Sequence, residues 1–189
     1  MRRAKRREAV AASLALVGAG LLAACSSGGG TAASSHPTTT LPRTPPAQTP
    51  ACQGTQLQAS LQMADAGAGQ RYVTLVLANA GGACRISGYV GLQLLGAGGV
   101  PIPTVVGRDA GPVVALTLQP GEKASAPLHW AGIPLSDEVQ SGPCEPQPAE
   151  VQITPPDQTE SVTAAWTLDP VCGHGRIDVP PLVHGMPAK

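Results

Sequence analysis

Sulfur, imidazole and carboxylate are the groups in this chain that could do chemistry, and their spacing limits what that chemistry can be. Five cysteines stand at Cys25, Cys52, Cys84, Cys144 and Cys172. No two lie as close as the short Cys-x-x-Cys-type spacing of structural zinc sites, so the pattern speaks for disulfides over metal. The histidines are His36, His129, His174 and His184. A metal or catalytic role would need at least two of them to converge with a carboxylate or thiolate. In "CGHGR", Cys172 to Arg176, a thiol and an imidazole resemble a ligand pair, and imidazole suits copper, but a disulfide makes better use of Cys172. The acids Asp137 and Glu138 fall in "PLSDEVQSGPC", a loop where neighbouring carboxylates are expected to be solvated. No Gly-x-Ser-x-Gly elbow occurs. No glycine-rich phosphate loop precedes a helix, because "GAGG" lies between two β-rich runs as a hairpin turn would. No spacing nominates a pair of glycosidase carboxylates.

The elements that must position these groups begin with an export signal. "MRRAKRRE" carries Arg2, Arg3, Lys5, Arg6 and Arg7 against Glu8, and the apolar stretch "AVAASLALVGAGLLAA" follows. A basic start, a short apolar core and small closing residues make residues 1–24 a secretory signal. The run, broken by Gly18 and Gly20, is too short and alanine-rich for the roughly 20 strongly apolar residues of a spanning helix. Leu22-Ala23-Ala24-Cys25 resembles the lipobox of bacterial lipoproteins. The resemblance implies that the Cys25 thiol is alkylated by diacylglycerol and becomes the mature N-terminus. Two acyl chains make a stable anchor, at about 0.8 kcal/mol per buried CH₂. The expected location is the extracytoplasmic face of the cell membrane.

Without residues 1–24 the chain holds 7 basic and 11 acidic residues, a net charge of −4. That balance argues against nucleic acid and against a polybasic contact with anionic lipid. From Cys25 to Pro50 the sequence is rich in Ser, Thr, Pro and Gly, with Leu41 its one large aliphatic residue and Arg43 its one charge. So little apolar surface cannot offset the entropy of ordering, and residues 25–50 are expected to form a disordered tether. His36 is a solvated residue on that tether.

Residues 51–184 are long enough for one domain, followed by a flexible tail at 185–189. Its core is short of large side chains: Phe is absent, and Tyr72, Tyr89, Trp130 and Trp166 are the aromatics. With Cys25 acylated, four cysteines remain, an even number that in an exported protein implies two disulfides. Three pairings are possible, and spacing does not choose among them. Period-two alternation marks the strands. Leu57, Ala59, Leu61 and Met63 share one face, with Met63 expected in the core. "RYVTLVLAN" is apolar on both faces and should be central. "VGLQLLGAGGVPIPTVV" signals a hairpin, and "QPGE" a type II turn with Pro120 and Gly121 at its centre. Ala124, Ala126, Leu128 and Trp130 share a face, leaving His129 outward. "AEVQIT", "SVTAAWTL" and "GRIDV" complete the set. Seven or eight short strands without helical periodicity point to an all-β antiparallel sandwich, and the count allows a barrel as well.

"LANAGGACRISGYVGLQLL", residues 77–95, and "LTLQPGEKASAPLHW", residues 116–130, together with the flanking cysteines, resemble a domain of unknown function common in actinobacterial secreted lipoproteins. The similarity covers Cys52 to Val183. It implies an immunoglobulin-like β-sandwich in which Cys52 pairs with Cys84 and Cys144 with Cys172, and it assigns no activity. The functional expectation is a membrane-anchored, non-catalytic cell-envelope module with no cofactor, binding a protein or glycan partner or playing a structural part. The alternatives are a secreted copper-handling protein using His129, His174 or His184 and, last, a hydrolase with a dispersed site.

Overall fold

The computed structural model describes residues 48–186. Cys25, the expected signal, most of the expected tether and the last three residues lie outside them. Eleven strands form in chain order. They are β1 (Leu57–Gly67), β2 (Gln70–Asn79), β3 (Cys84–Ile86), β4 (Gly91–Leu95), β5 (Val105–Arg108), β6 (Leu116–Leu118), β7 (Lys123–Ala131), β8 (Glu150–Thr154), β9 (Val162–Ala165), β10 (Arg176–Val179) and β11 (Val183–His184). The count exceeds the expected seven or eight because β3, β6 and β11 run only two or three residues, too short to show alternation.

The larger sheet has the order β1-β2-β7-β10-β5, with β11 also pairing β7; a second sheet is β4-β8-β9, and β3 pairs β6. β2 is central, as its two-sided apolar sequence requires, with β1 on one side and β7 on the other. Val73, Leu75, Leu77, Ala124, Ala126, Leu128, Trp130 and Ile177 from the large sheet are packed in one core with Leu92, Leu94, Val151, Ile153, Ala164 and Trp166 from the second. Two sheets facing one shared core make a β-sandwich. Its disulfides are Cys52–Cys84 and Cys144–Cys172. The QPGE turn has Gly121 at φ +84° and the Glu122 N–H on the Gln119 carbonyl at 3.0 Å, as a type II turn demands.

Three expectations are corrected. Met63 is 63% exposed although it stays in register opposite Val73, because β1 is the edge strand of its sheet and has a neighbour on one side only. The hairpin expected across residues 90–106 is only a stub. Leu95 bridges Pro101, after which Pro101 and Pro103 have no N–H to extend a ladder. Gln93 Nε2 instead donates to the Ile102 carbonyl and Thr104 Oγ1, and the chain crosses to the other sheet. There β5 pairs β10 in parallel, the one parallel pair among the eleven described strands, beside a lone parallel bridge of Ala51 to Arg85.

Candidate functional site

Strand direction sorts the connections to two ends. At the proximal end, where the described chain begins, Cys52 N–H bonds the Arg85 carbonyl, beside the 79–83 and 119–122 turns. At the distal end lie the turn at Ala68–Gly69, the long 132–149 segment and the 166–175 connection, which the registers of β1, β2 and β7 bring together. An 11-residue β1 separates the ends by roughly 35 Å at strand rise.

Buried tryptophans floor the distal end. Trp130 and Trp166 have ring centroids 5.1 Å apart, and their indole N–H groups reach the carbonyls of Pro170 and Asp169 at 3.3 and 3.1 Å. Buried indole donors need such partners, and here they also pin the 166–170 backbone. Cys144–Cys172 then ties the 132–149 segment to that connection.

Next to the bridge, Gly173, His174 and Gly175 all have positive φ, at +73°, +57° and +73°. Gly175 has no room for a side chain, since a Cβ there would strike the Pro103 carbonyl. The left-handed turn aims consecutive N–H groups at one anion, as backbone nests do. That anion is Glu138. Its Oε2 accepts from Leu135 N–H at 2.6 Å and Gly173 N–H at 3.0 Å, and its Oε1 accepts from His174 N–H at 2.9 Å. The side chain is only 2% exposed. Burial pushes the Glu138 carboxyl up, but the three N–H groups and the His174 imidazole outweigh it and hold the group below the usual carboxylate range. Glu138 is therefore a buried clasp, where the sequence suggested a solvated acid. Its neighbour Asp137 is exposed, and its Oδ2 lies 3.1 Å from His174 Nε2. That hydrogen bond, with the charges of Asp137, Glu138 and Glu145, raises the His174 pKa above its ordinary value.

The three described histidines do not gather. His129 faces outward as alternation requires and meets Asp109 at 3.0 Å; His184 meets Glu122 at 3.5 Å; His174 stands in the cluster just described. Among the described residues, one group has metal-ligand proximity: Glu138, Glu145 and His174, whose candidate atoms lie within 4.8 Å of one another. Three N–H groups already occupy the Glu138 oxygens, which leaves that carboxylate little capacity as a ligand.

Two clefts open on the same end. One, of ≈ 200 Å³, lies among Met63, Arg71, Trp130 and Leu168; the other, of ≈ 260 Å³, lies among Arg71, Pro134, Pro143 and the Cys144–Cys172 bridge. The Arg71–Asp169 ion pair, 2.7 Å, stands between them. Around the rim Ile133, Leu135 and Val139 are 58%, 45% and 57% exposed. Sequence reading missed this end. Its signals were the Gly-His-Gly run, which permits a left-handed turn, and the apolar residues scattered through a proline-rich loop.

Among the described residues no helix is long and apolar enough to cross a membrane. Comparison with curated proteins and with solved structures finds no match. Residues 52–183 match the family described as "Domain of unknown function (DUF4232)", over nearly the whole sandwich and most of the chain. The chain thus belongs to the DUF4232 family.

Proposed function

We propose that the protein is an exported lipoprotein, anchored to the outer face of the cell membrane by acyl chains on Cys25, whose β-sandwich is a non-catalytic binding module. The observation that carries this reading is the state of sulfur. All four domain cysteines are paired in disulfides, the mark of an oxidising compartment outside the cytoplasm. The fifth, Cys25, is left over at the end of the Leu22-Ala23-Ala24-Cys25 run. A non-catalytic role is supported by Glu138: its side chain is the enclosed carboxylate beside the exposed His174 imidazole, and it spends its oxygens holding a turn. Kinship with actinobacterial lipoproteins and an immunoglobulin-like strand plan belong to the same reading.

Changing Cys25→Ser and fractionating cells tests it. The expected result is release from the membrane fraction, or retention of an uncleaved signal; unchanged anchoring would refute the lipid attachment. The proximity of Glu138, Glu145 and His174 favours a second reading, a divalent cation at the distal end. Its one imidazole and two carboxylates suit a harder ion than copper(I), and a copper site built from several histidines has no support in their positions. Elemental analysis of protein purified without chelators decides it: a stoichiometric metal would replace the binding-module reading with a metal-handling one.

A further inference from the structure

We infer that the distal end docks a partner protein whose own contact face is apolar at its centre and basic at its rim, an inference that rests on the binding-module reading. Exposed large apolar side chains matter when they gather, and here Ile133, Leu135 and Val139 stand on one distal segment while Met63 lines the cleft beside Arg71. The turn at Gly69 brings β1–β2 against Ile133: a Cβ on Gly69 would lie 2.8 Å from Ile133 Cδ1. Leu135 lies on the other side, against Gly173. The tip is held in shape by Cys144–Cys172 and by the Glu138 clasp, so little ordering entropy remains to be lost on binding.

Charge selects the occupant. Asp137, Glu138 and Glu145 surround one imidazole, His174, Asp169 divides the clefts, and Arg71, the basic side chain lining both, is already bound to Asp169, so acids outnumber cations here. A second copy of this chain would set acid against acid, and an anionic bilayer or nucleic acid would be repelled in the same way. A partner carrying Lys or Arg around apolar anchors complements both features, since interfaces pair an apolar centre with a charged rim.

The two tryptophans of the chain both floor this end, so their emission reports its occupancy. The probes are two twelve-residue peptides with the same leucine positions, one filled with lysine and one with glutamate. They are titrated into the full chain in neutral phosphatidylcholine nanodiscs, against empty discs. The lysine peptide should change the emission saturably, and the glutamate peptide should not. Met63→Ser with Ile133→Ser should weaken the lysine peptide about tenfold, and Asp137→Asn with Glu145→Gln several-fold, in line with interface truncations. Val113→Ser with Val114→Ser, exposed elsewhere, should change nothing and reports that the fold is intact. Equal response to both peptides, indifference to the distal variants, self-association or a response to anionic vesicles would each overturn the inference. Lysine-peptide binding by a chain that fails the Cys25→Ser fractionation would leave the docking surface standing and remove only the anchor.

Discussion

The two ends of the sandwich are built from the same devices and differ in charge. At the proximal end, the bridge Cys52–Cys84 is buried, and Asn79, 1% exposed, is the polar hub. Its amide donates to the carbonyls of Gly82 and Leu118 at 2.9 and 3.0 Å, and its oxygen accepts from Gly81 N–H at 2.9 Å and Gln56 Nε2 at 3.2 Å. At the distal end, the bridge Cys144–Cys172 has Cys144 partly open to solvent, and the hub is Glu138, an anion in a cradle of N–H groups. A neutral hub ties its loops at any pH. A charged hub ties them only while it is charged, and it leaves a negative field at the surface. On the binding-module reading, the proximal end is thus the structural half and recognition falls to the distal end.

Removing the bridges gives the sharpest break in this comparison. They close loops with sequence separations of 32 and 28. Chain entropy then makes each worth roughly 3–4 kcal/mol and separates them by only about 0.1 kcal/mol. Any larger difference comes from burial. Replacing Cys52 and Cys84 by Ala should lower denaturant stability clearly more than replacing Cys144 and Cys172, because it also hollows the core. Equal losses would mean that the two ends are equally structural.

The hubs come next. Asn79→Ala strands buried carbonyl and N–H groups at once and should cost about 2–3 kcal/mol in global unfolding. Glu138→Gln should act locally: segment 132–149 should become protease-sensitive with a smaller fall in the unfolding midpoint. A global loss from Glu138→Gln as large as that from Asn79→Ala would erase the distinction.

The smallest effect, and the most specific, is pH dependence at the distal end. The Glu138 pKa is depressed, so its contribution is present above the ordinary carboxylate pKa and is lost as pH falls through the depressed value. The His174 pKa is raised, so its contribution is full below about 6.5 and is lost as pH rises through the raised value. Amide protection at Gly173 and His174, corrected for intrinsic exchange, should therefore peak between those limits and fall on either side. Protection at Gly81, on the neutral hub, should stay flat across the same range. The proximal end has one acid of its own kind, Glu122, lowered chiefly by the Gln119 N–H, but it serves an exposed turn and not the Asn79 hub.

The strands with several alternating residues were legible because burial imposes a period of two on the sequence, and β1, β2, β7, β8 and β10 lie where that period put them. The QPGE turn was legible because Pro and Gly restrict φ locally. β3 and β11 are too short to carry a period. The 90–106 segment read as a hairpin because its prolines break the ladder only after a stub has formed. By itself, the sequence determined the class of fold and the number of bridges, since each depends on residue type and near spacing. Tertiary structure alone decided that Glu138 meets Gly173 and His174, that Arg71 meets Asp169, and that Met63 is exposed beside Arg71 rather than packed in the core. Those contacts join residues tens of positions apart, and the energy that selects them comes from packing two sheets together, which no local pattern contains.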